Sequence, residues 1–171
     1  MIDNEGIITE NFKDIDGIEF KYKGKKTNGK REGYGTLFSA DGLIAYQGNF
    51  HNDKYEGEGR EYNPCPGAMR KGLNYRNLVF YDAYWVKYEG TFKNGKKHGK
   101  GKMVQTNAEI FESTWENGKV NGEGFIYKTN GKVYKGVWVD DGYIDKEGFG
   151  NMKPATDVTT EDAVALISKG Q

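Results

Sequence analysis

The chain has 171 residues, of which 36% are hydrophobic and 29% charged, and its 25 basic and 25 acidic side chains cancel. This length fits a single domain, and the balanced charge excludes the strong overall field that draws a protein to nucleic acid. One cysteine and two histidines exclude an internal disulfide framework and a zinc site of the Cys/His type.

The first predicted element is residues 1–21, an N-terminal cap that reads as a degenerate half of the units that follow, with its turn at Asp16–Gly17. The segment carries six acidic and two basic side chains. It lacks the basic start and apolar stretch of a signal peptide, and no apolar run approaches the roughly 20 residues that cross a bilayer. We therefore expect an intracellular protein, cytoplasmic or cytoskeletal, with import into an organelle left open.

Residues 22–153 form a repeat with a period of 23 or 24 residues. Unit three begins Tyr-Glu-Gly-Thr-Phe-Lys-Asn-Gly, so that an aromatic residue, a glycine and a second aromatic residue alternate before an Asn-Gly pair. The residues that open successive units are Tyr22, Tyr46, Tyr88, Phe111 and Tyr134. The five predicted units span 22–45, 46–87, 88–110, 111–133 and 134–153.

Each unit is predicted to form a β-hairpin. Tyr88, Gly90 and Phe92 alternate along the sequence, so they lie on one face of a strand. Asn94 and Gly95 tolerate the positive φ that a tight hairpin bend requires. Because a lone hairpin is marginally stable in water, the units must stack into one continuous antiparallel meander.

The returning strand is predicted to bring glycines under the rings. Gly99, Gly101 and Met103 alternate, and we expect them to share the face of the aromatic residues. A ring that lies across bare glycine backbone offsets the weakness of glycine in a strand. The predicted fold is therefore all-β, an elongated, twisted antiparallel β-hairpin meander of about five units.

The second unit contains an insertion. Gly57 and Gly99 are 42 residues apart where one period gives 23 or 24, so 18 or 19 residues are added. They fall within 63–87. Insertions in repeat arrays often become binding loops. We expect a recognition loop over 64–76, while a recognition loop and a longer hairpin are equally supported over 78–87.

The last predicted element, residues 154–171, contains a short capping helix. Thr160 is the expected N-cap and Gly170 the expected stop. Ala163, Leu166 and Ile167 form an apolar stripe along it. This stripe either closes the last hairpin or binds a partner.

One octet, Gly90 to Lys97, comes within one residue of the phosphate-binding pattern G-x-x-x-x-G-K-[ST]. The same spacing recurs at 24–31, so the octet is a feature of the repeat. His98 and Cys65 have no neighbours in the sequence that suggest acid–base or nucleophilic chemistry. We therefore predict no catalytic residue, no cofactor, no metal site and no enzymatic activity.

The pattern Y-x-G-x-[FW]-x-N-G-x-x-x-G-x-G resembles the MORN repeat, and the resemblance covers residues 22–153. Lys26 departs from this pattern, because it occupies the position at which unit one should have its second aromatic residue. Unit two is interrupted, and unit five has three extra residues before its last glycines. The resemblance implies a non-enzymatic scaffold subunit in a cytoskeletal, ciliary or axonemal, or other large assembly.

A protein partner follows from this resemblance. We expect a helix or an extended peptide to bind over the aromatic face and the inserted loop, with homodimerisation as a further option and no nucleic-acid partner. The predicted partner-binding residues are Phe92, Trp115, Trp138, Tyr88, Tyr134, Tyr75, Phe80, Tyr81, Tyr84 and Trp85.

Two alternatives stay open. Unit three carries five lysines and two glutamates, and the resemblance implies membrane association, so one alternative is a peripheral adaptor that binds anionic phospholipid. The residues for this contact are Lys93, Lys96, Lys97, Lys100 and Lys102. The same lysines would also suit binding to an acidic partner surface, or they are simply the charged residues of a solvent-exposed turn. The other alternative is a regulatory subunit that acts in trans on an enzyme.

Overall fold

The computed structural model describes residues 6–67, 78 and 83–144, together with the backbone of 153–154. The predicted C-terminal helix lies outside the described residues, as do Tyr75, Phe80 and Tyr81. The strands are β1 Ile8–Lys13, β2 Glu19–Thr27, β3 Lys30–Ser39, β4 Ile44–His51, β5 Lys54–Tyr62, β6 Trp85–Lys93, β7 Lys96–Gln105, β8 Ile110–Glu116, β9 Lys119–Tyr127, β10 Val133–Val139, β11 Gly142–Ile144 and β12 Lys153–Pro154.

These strands form one open antiparallel sheet. β1 to β11 are neighbours in sequence order, and β12 pairs with β10. The predicted all-β meander is confirmed, with units one to five corresponding to the hairpins β2–β3, β4–β5, β6–β7, β8–β9 and β10–β11. Among the described residues, no helix is both long enough and apolar enough to cross a membrane.

The hairpin bends have the backbone geometry that their residues favour. Asn94 has φ of 52° and Gly95 of 82°, and Asn117 and Gly118 repeat this pair with 53° and 89°. Two successive left-handed residues define the tight bend whose twist matches that of the flanking strands. In units two and five an aspartate replaces the glycine, as in Asn52–Asp53.

Aromatic rings cover strand glycines, as predicted. A Cβ atom on Gly101 would overlap the Tyr88 hydroxyl, and one on Gly35 would lie 2.6 Å from the Tyr22 ring. The prediction for Gly99 was wrong. This glycine has φ of +67° beside a register shift, and a Cβ on it would meet Thr91 instead of a ring. Gly90 pairs with Gly101 but Phe92 pairs with Lys97, so the returning strand has two extra residues between these pairs and Gly99 does not face a ring.

The core is a row of rings that crosses the unit boundaries. We call the sheet face that bears Tyr22, Tyr46, Tyr88 and Phe111 the inner face and the opposite face the outer face. Phe92 packs edge-on against Tyr46 of the preceding unit at 5.3 Å and against Tyr88 of its own unit at 5.2 Å. Trp115 repeats this contact with Tyr88 and Phe111. Edge-to-face contact suits the charge distribution of aromatic rings, so each unit stabilises its neighbour.

The structure explains why unit one has Lys26 in place of a second aromatic residue. The second ring of a unit packs against the first ring of the preceding unit, and unit one has only β1 before it. Lys26 instead forms an ion pair with Glu10 of β1. The departure from the repeat therefore ends the row of rings with a charged pair.

Candidate interaction surfaces

Of the seven predicted partner-binding rings that the structure describes, five lie in the core. Trp115 is 1% exposed, and four further rings are also buried: Tyr88, Phe92, Trp138 and Trp85. Tyr134 and Tyr84 are half-buried. Alternation in the sequence assigned these rings to one face, but it did not reveal that rings of successive units cover each other. Their role in partner binding stays a prediction, and in the folded chain they present little surface.

The insertion returns to the inner face at two described points. Leu78 is fully buried in the same apolar cluster as Trp115 and Trp138. Its backbone N–H donates to the Asp141 carbonyl at 3.0 Å. Trp85 begins β6 and belongs to the same cluster, so residues 85–87 are strand. Part of the insertion therefore packs on the array that it interrupts.

The five predicted lysines do not share one environment. Lys97 lies on the inner face, where its ammonium pairs with Glu61 at 3.1 Å and sits 4.2 Å from the Trp85 ring centre. Its side chain is only 11% exposed. The other four lie on the outer face or at the bend: Lys93, Lys96 and Lys100 are exposed and Lys102 is half-buried. The register places Lys102 between two glutamates of neighbouring strands.

Two clefts lie side by side at the N-terminal end of the sheet. The larger, about 410 Å³, is the edge cleft, and its lining includes Asn11, Phe12, Phe20, Phe38, Ser39 and Gly42. The second, about 310 Å³, is the Asp53 pocket, and its lining includes Phe12, Phe20, Arg31, Leu37, Asp53 and Tyr55. Exposed apolar side chains occur nearby in the sequence, at Ile15, Ile18, Leu43 and Ile44.

A partly exposed ion pair forms part of the lining of the Asp53 pocket. The Arg31 guanidinium donates to the Asp53 carboxylate at 3.1 Å and to the Asp53 carbonyl at 3.1 Å, and it lies 4.9 Å from the Phe12 ring centre. Partial burial raises the pKa of Asp53, but the hydrogen bonds and charge of Arg31 outweigh it and hold that pKa below its ordinary value. Burial raises the pKa of Tyr55, which also lines the pocket.

The sequence-based reasoning missed this site. Ile8, Glu10 and Phe12 alternate within the N-terminal cap, and this pattern was the signal that the cap continues the inner face. The second signal was Asp53, an aspartate where most units have the glycine of the bend. Among the residues that the structure describes, no group of three His, Cys, Asp or Glu side chains is arranged to hold a metal ion.

A smaller polar cleft of about 220 Å³ lies on the outer face. Tyr34, which is 63% exposed, stands beside Arg60 and Glu89, and these two side chains pair at 3.0 Å. Glu58 completes the rim. The arrangement presents a ring and carboxylates to solvent.

One open sheet of stacked hairpins, with rings lying over glycines from unit to unit, defines a β-repeat protein. The MORN repeat model matches residues 22–44, 46–64, 88–107 and 111–133, which fall within units one to four. The chain therefore belongs to the MORN repeat family. A search of curated proteins found no match.

Proposed function

We propose that this MORN-repeat protein is a non-enzymatic scaffold subunit that binds a partner protein at the N-terminal end of its sheet. The observation that carries the proposal is the pair of adjoining clefts, which share the stacked rings of Phe12 and Phe20, 5.8 Å apart. Apolar pockets rimmed by charged groups are typical of protein binding sites. MORN repeats occur often in protein or membrane interactions, which agrees with this role.

The partner presents a helix or an extended peptide to the inner face. The row of core rings fixes the spacing of the strands, so the site is held rigidly and little conformational entropy is lost on binding. A cytoskeletal, ciliary or axonemal assembly is the setting that we propose, with the protein acting without catalysis of its own. Regulation of an enzyme in trans uses the same surface.

Photo-crosslinking in the native assembly tests this proposal. A photoreactive amino acid is placed at Ile18 or Leu43, which are exposed near the clefts, and in a matched control at the exposed Val139 of unit five. We expect the same partner polypeptide to be captured from Ile18 and Leu43 and not from Val139. Equal capture from all three sites, or capture from Val139 alone, contradicts the proposed location.

A second candidate function is contact with an anionic membrane surface. Lys93, Lys96 and Lys100 are exposed within one hairpin, and clustered lysines are attracted to anionic lipid. Sedimentation with phosphatidylserine vesicles at low salt tests it. The double variant Lys93→Glu, Lys96→Glu should lose binding, while Lys13→Glu, Lys119→Glu, a charge-matched control, should keep it. Equal retention of both variants rejects this candidate.

A further inference from the structure

The bends of units two and five are built in the same way. In unit two, the Arg31 N–H donates to the Asp53 carboxylate at 2.9 Å, and the Asp53 N–H donates to the Arg31 carbonyl at 3.2 Å. In unit five, the Val120 N–H donates to the Asp141 carboxylate at 2.7 Å, and the Asp141 N–H donates to the Val120 carbonyl at 3.1 Å. The two aspartates therefore hold equivalent positions.

The walls beside these aspartates correspond as well. Leu37 lies two residues after Gly35 on the returning strand of unit one, as Ile126 lies two residues after Gly124 in unit four, and both side chains are buried. Tyr55 of unit two corresponds to Tyr143 of unit five, the second residue after the aspartate in each case. The repeat thus places corresponding side chains beside both aspartates.

Beside Asp141 the chain itself supplies a buried aliphatic residue. Leu78 from the insertion is fully buried in the main cluster, and its backbone N–H donates to the Asp141 carbonyl at 3.0 Å. An aliphatic side chain with its own backbone amide is therefore the occupant that this kind of pocket accepts.

At the Asp53 pocket, Leu37 and Tyr55 correspond to Ile126 and Tyr143, whereas Arg31 stands in the place of Val120, and the cavity is about 310 Å³. None of the described residues of the insertion lines this pocket, and the hydrogen bond that the Leu78 N–H makes to the Asp141 carbonyl is made at Asp53 by Arg31. Here the Asp53 carbonyl accepts the Arg31 guanidinium at 3.1 Å. The Phe12 and Phe20 rings add apolar surface at the mouth. Four of the lining residues, Asp14, Arg31, Asp53 and Lys54, are charged, but carbon atoms make up most of the surface that the pocket exposes, which favours an apolar group over a charged one.

We infer that the Asp53 pocket binds a leucine-sized aliphatic side chain carried on a partner peptide, as its counterpart at Asp141 binds Leu78. This inference rests on the proposed function, since it names the anchor of the partner that the clefts receive. The partner peptide supplies an aliphatic residue at one position, and its flanking backbone lies along the Asp53 bend.

The test uses N-acetyl-leucine N-methylamide as the probe, with N-acetyl-glycine N-methylamide as the control that lacks only the side chain. Both are titrated into the full chain labelled with nitrogen-15. We expect saturable shifts of the amide signals of Asp53, Lys54 and Gly95 with the leucine probe alone. Equal shifts with both probes, or no saturable shift at these amides, overturn the inference.

Two variants sharpen the test. Phe12→Ala removes a ring from the pocket and should weaken the leucine probe by about fivefold, whereas Phe38→Ala, which removes a ring from the edge cleft alone, should not. Arg31→Val copies Val120 and releases the Asp53 carbonyl, so the probe should bind more tightly. An unchanged affinity in Phe12→Ala, with dispersed amide signals that prove folding, counts against the inference.

The outcomes separate this inference from the proposed function. Capture of a partner from Ile18 and Leu43 without leucine binding at Asp53 keeps the scaffold function and removes the leucine anchor. Leucine binding without any captured partner keeps the pocket and removes the scaffold function. The comparison of leucine and glycine probes on the unmodified chain does not depend on whether a variant folds.

Discussion

The two ends of this sheet contain the same pocket in two conditions. At Asp141, Leu78 of the insertion is buried in the core. At Asp53, a cavity of about 310 Å³ remains beside the same type of bend. The contrast teaches that the repeat itself creates a pocket at an aspartate bend, and that the insertion decides which copy the chain fills. In this array the proposed binding surface is therefore set by the irregular parts of the chain.

The two ends also differ in the chemistry of their rings. Units one and two rely on Tyr22, Tyr46 and Tyr55, whereas units four and five place Phe111, Trp115 and Trp138 in the core. Tyrosine carries a hydroxyl that must stay protonated when it is buried. High pH should therefore act on one end of the sheet more than on the other.

Alkaline unfolding should give the largest effect. Burial raises the pKa of Tyr22 from 10.0 to about 12 and also raises the pKa values of Tyr46 and Tyr55. The unfolded chain loses these protons more readily, so this stabilisation is complete below pH 10 and is lost as the pH rises towards 12. We expect tyrosinate absorbance and loss of the strand signal in circular dichroism to change together, with faster amide exchange in units one and two. Ionisation of these tyrosines in a folded sheet contradicts this expectation.

Trp115→Ala should destabilise the protein by about 3–5 kcal/mol, because a fully buried ring leaves a large cavity. Trp115→Phe, the matched control, should cost far less, since Phe92 occupies the same place in unit three and the Trp115 Nε1 has no hydrogen-bond partner among the described residues. Denaturant titration measures both. An unchanged midpoint for Trp115→Ala would identify the ring as a surface residue, as the sequence-based prediction of a binding face requires.

Leu78→Ala should cost about 2–4 kcal/mol, the usual loss for a buried leucine. Its control, Leu43→Ala, removes a leucine that is 62% exposed and should change stability little. Leu78→Ala also removes the side chain that is buried beside the Asp141 bend, so the leucine probe should now shift the amide signal of Asp141. Full stability of Leu78→Ala would show that the insertion does not fill the C-terminal pocket.

Gly101→Ala should cost about 1–3 kcal/mol, because the added methyl group overlaps the Tyr88 ring and hydroxyl and forces the strand to shift. Lys100→Ala, on the exposed side of the same strand, should stay within about 0.5 kcal/mol of the unmodified protein. The difference in melting temperature between the two variants measures the effect of the ring on the glycine. Equal melting temperatures would disprove the close contact.

Several features followed from local sequence alone. The alternation of Tyr88, Gly90 and Phe92 predicted one face of a strand, and Asn94–Gly95 predicted the bend, because both depend only on backbone geometry over a few residues. Gly99 was misplaced because a register shift in the returning strand depends on how two strands pair. A period in the sequence does not report such a shift.

The candidate site depended on contacts that lie far apart in the chain. Phe12 belongs to the N-terminal cap and Tyr55 to unit two, and Leu78 of unit two reaches Asp141 of unit five across units three and four. A period predicts that the same position recurs, but it does not predict which neighbour covers that position. Rings that looked like a binding face therefore became core once the units stacked.

The sequence by itself determined the meander, the bends and the rings that lie over glycines, because each is fixed by alternation and by the φ preferences of a few adjacent residues. Only the tertiary structure decided which apolar groups are covered. Burial depends on the position of neighbouring units and of the insertion relative to the inner face. For this reason the two aspartates Asp53 and Asp141 hold equivalent positions in the repeat, but only the folded chain shows that Leu78 covers one of them and that a cavity lies beside the other.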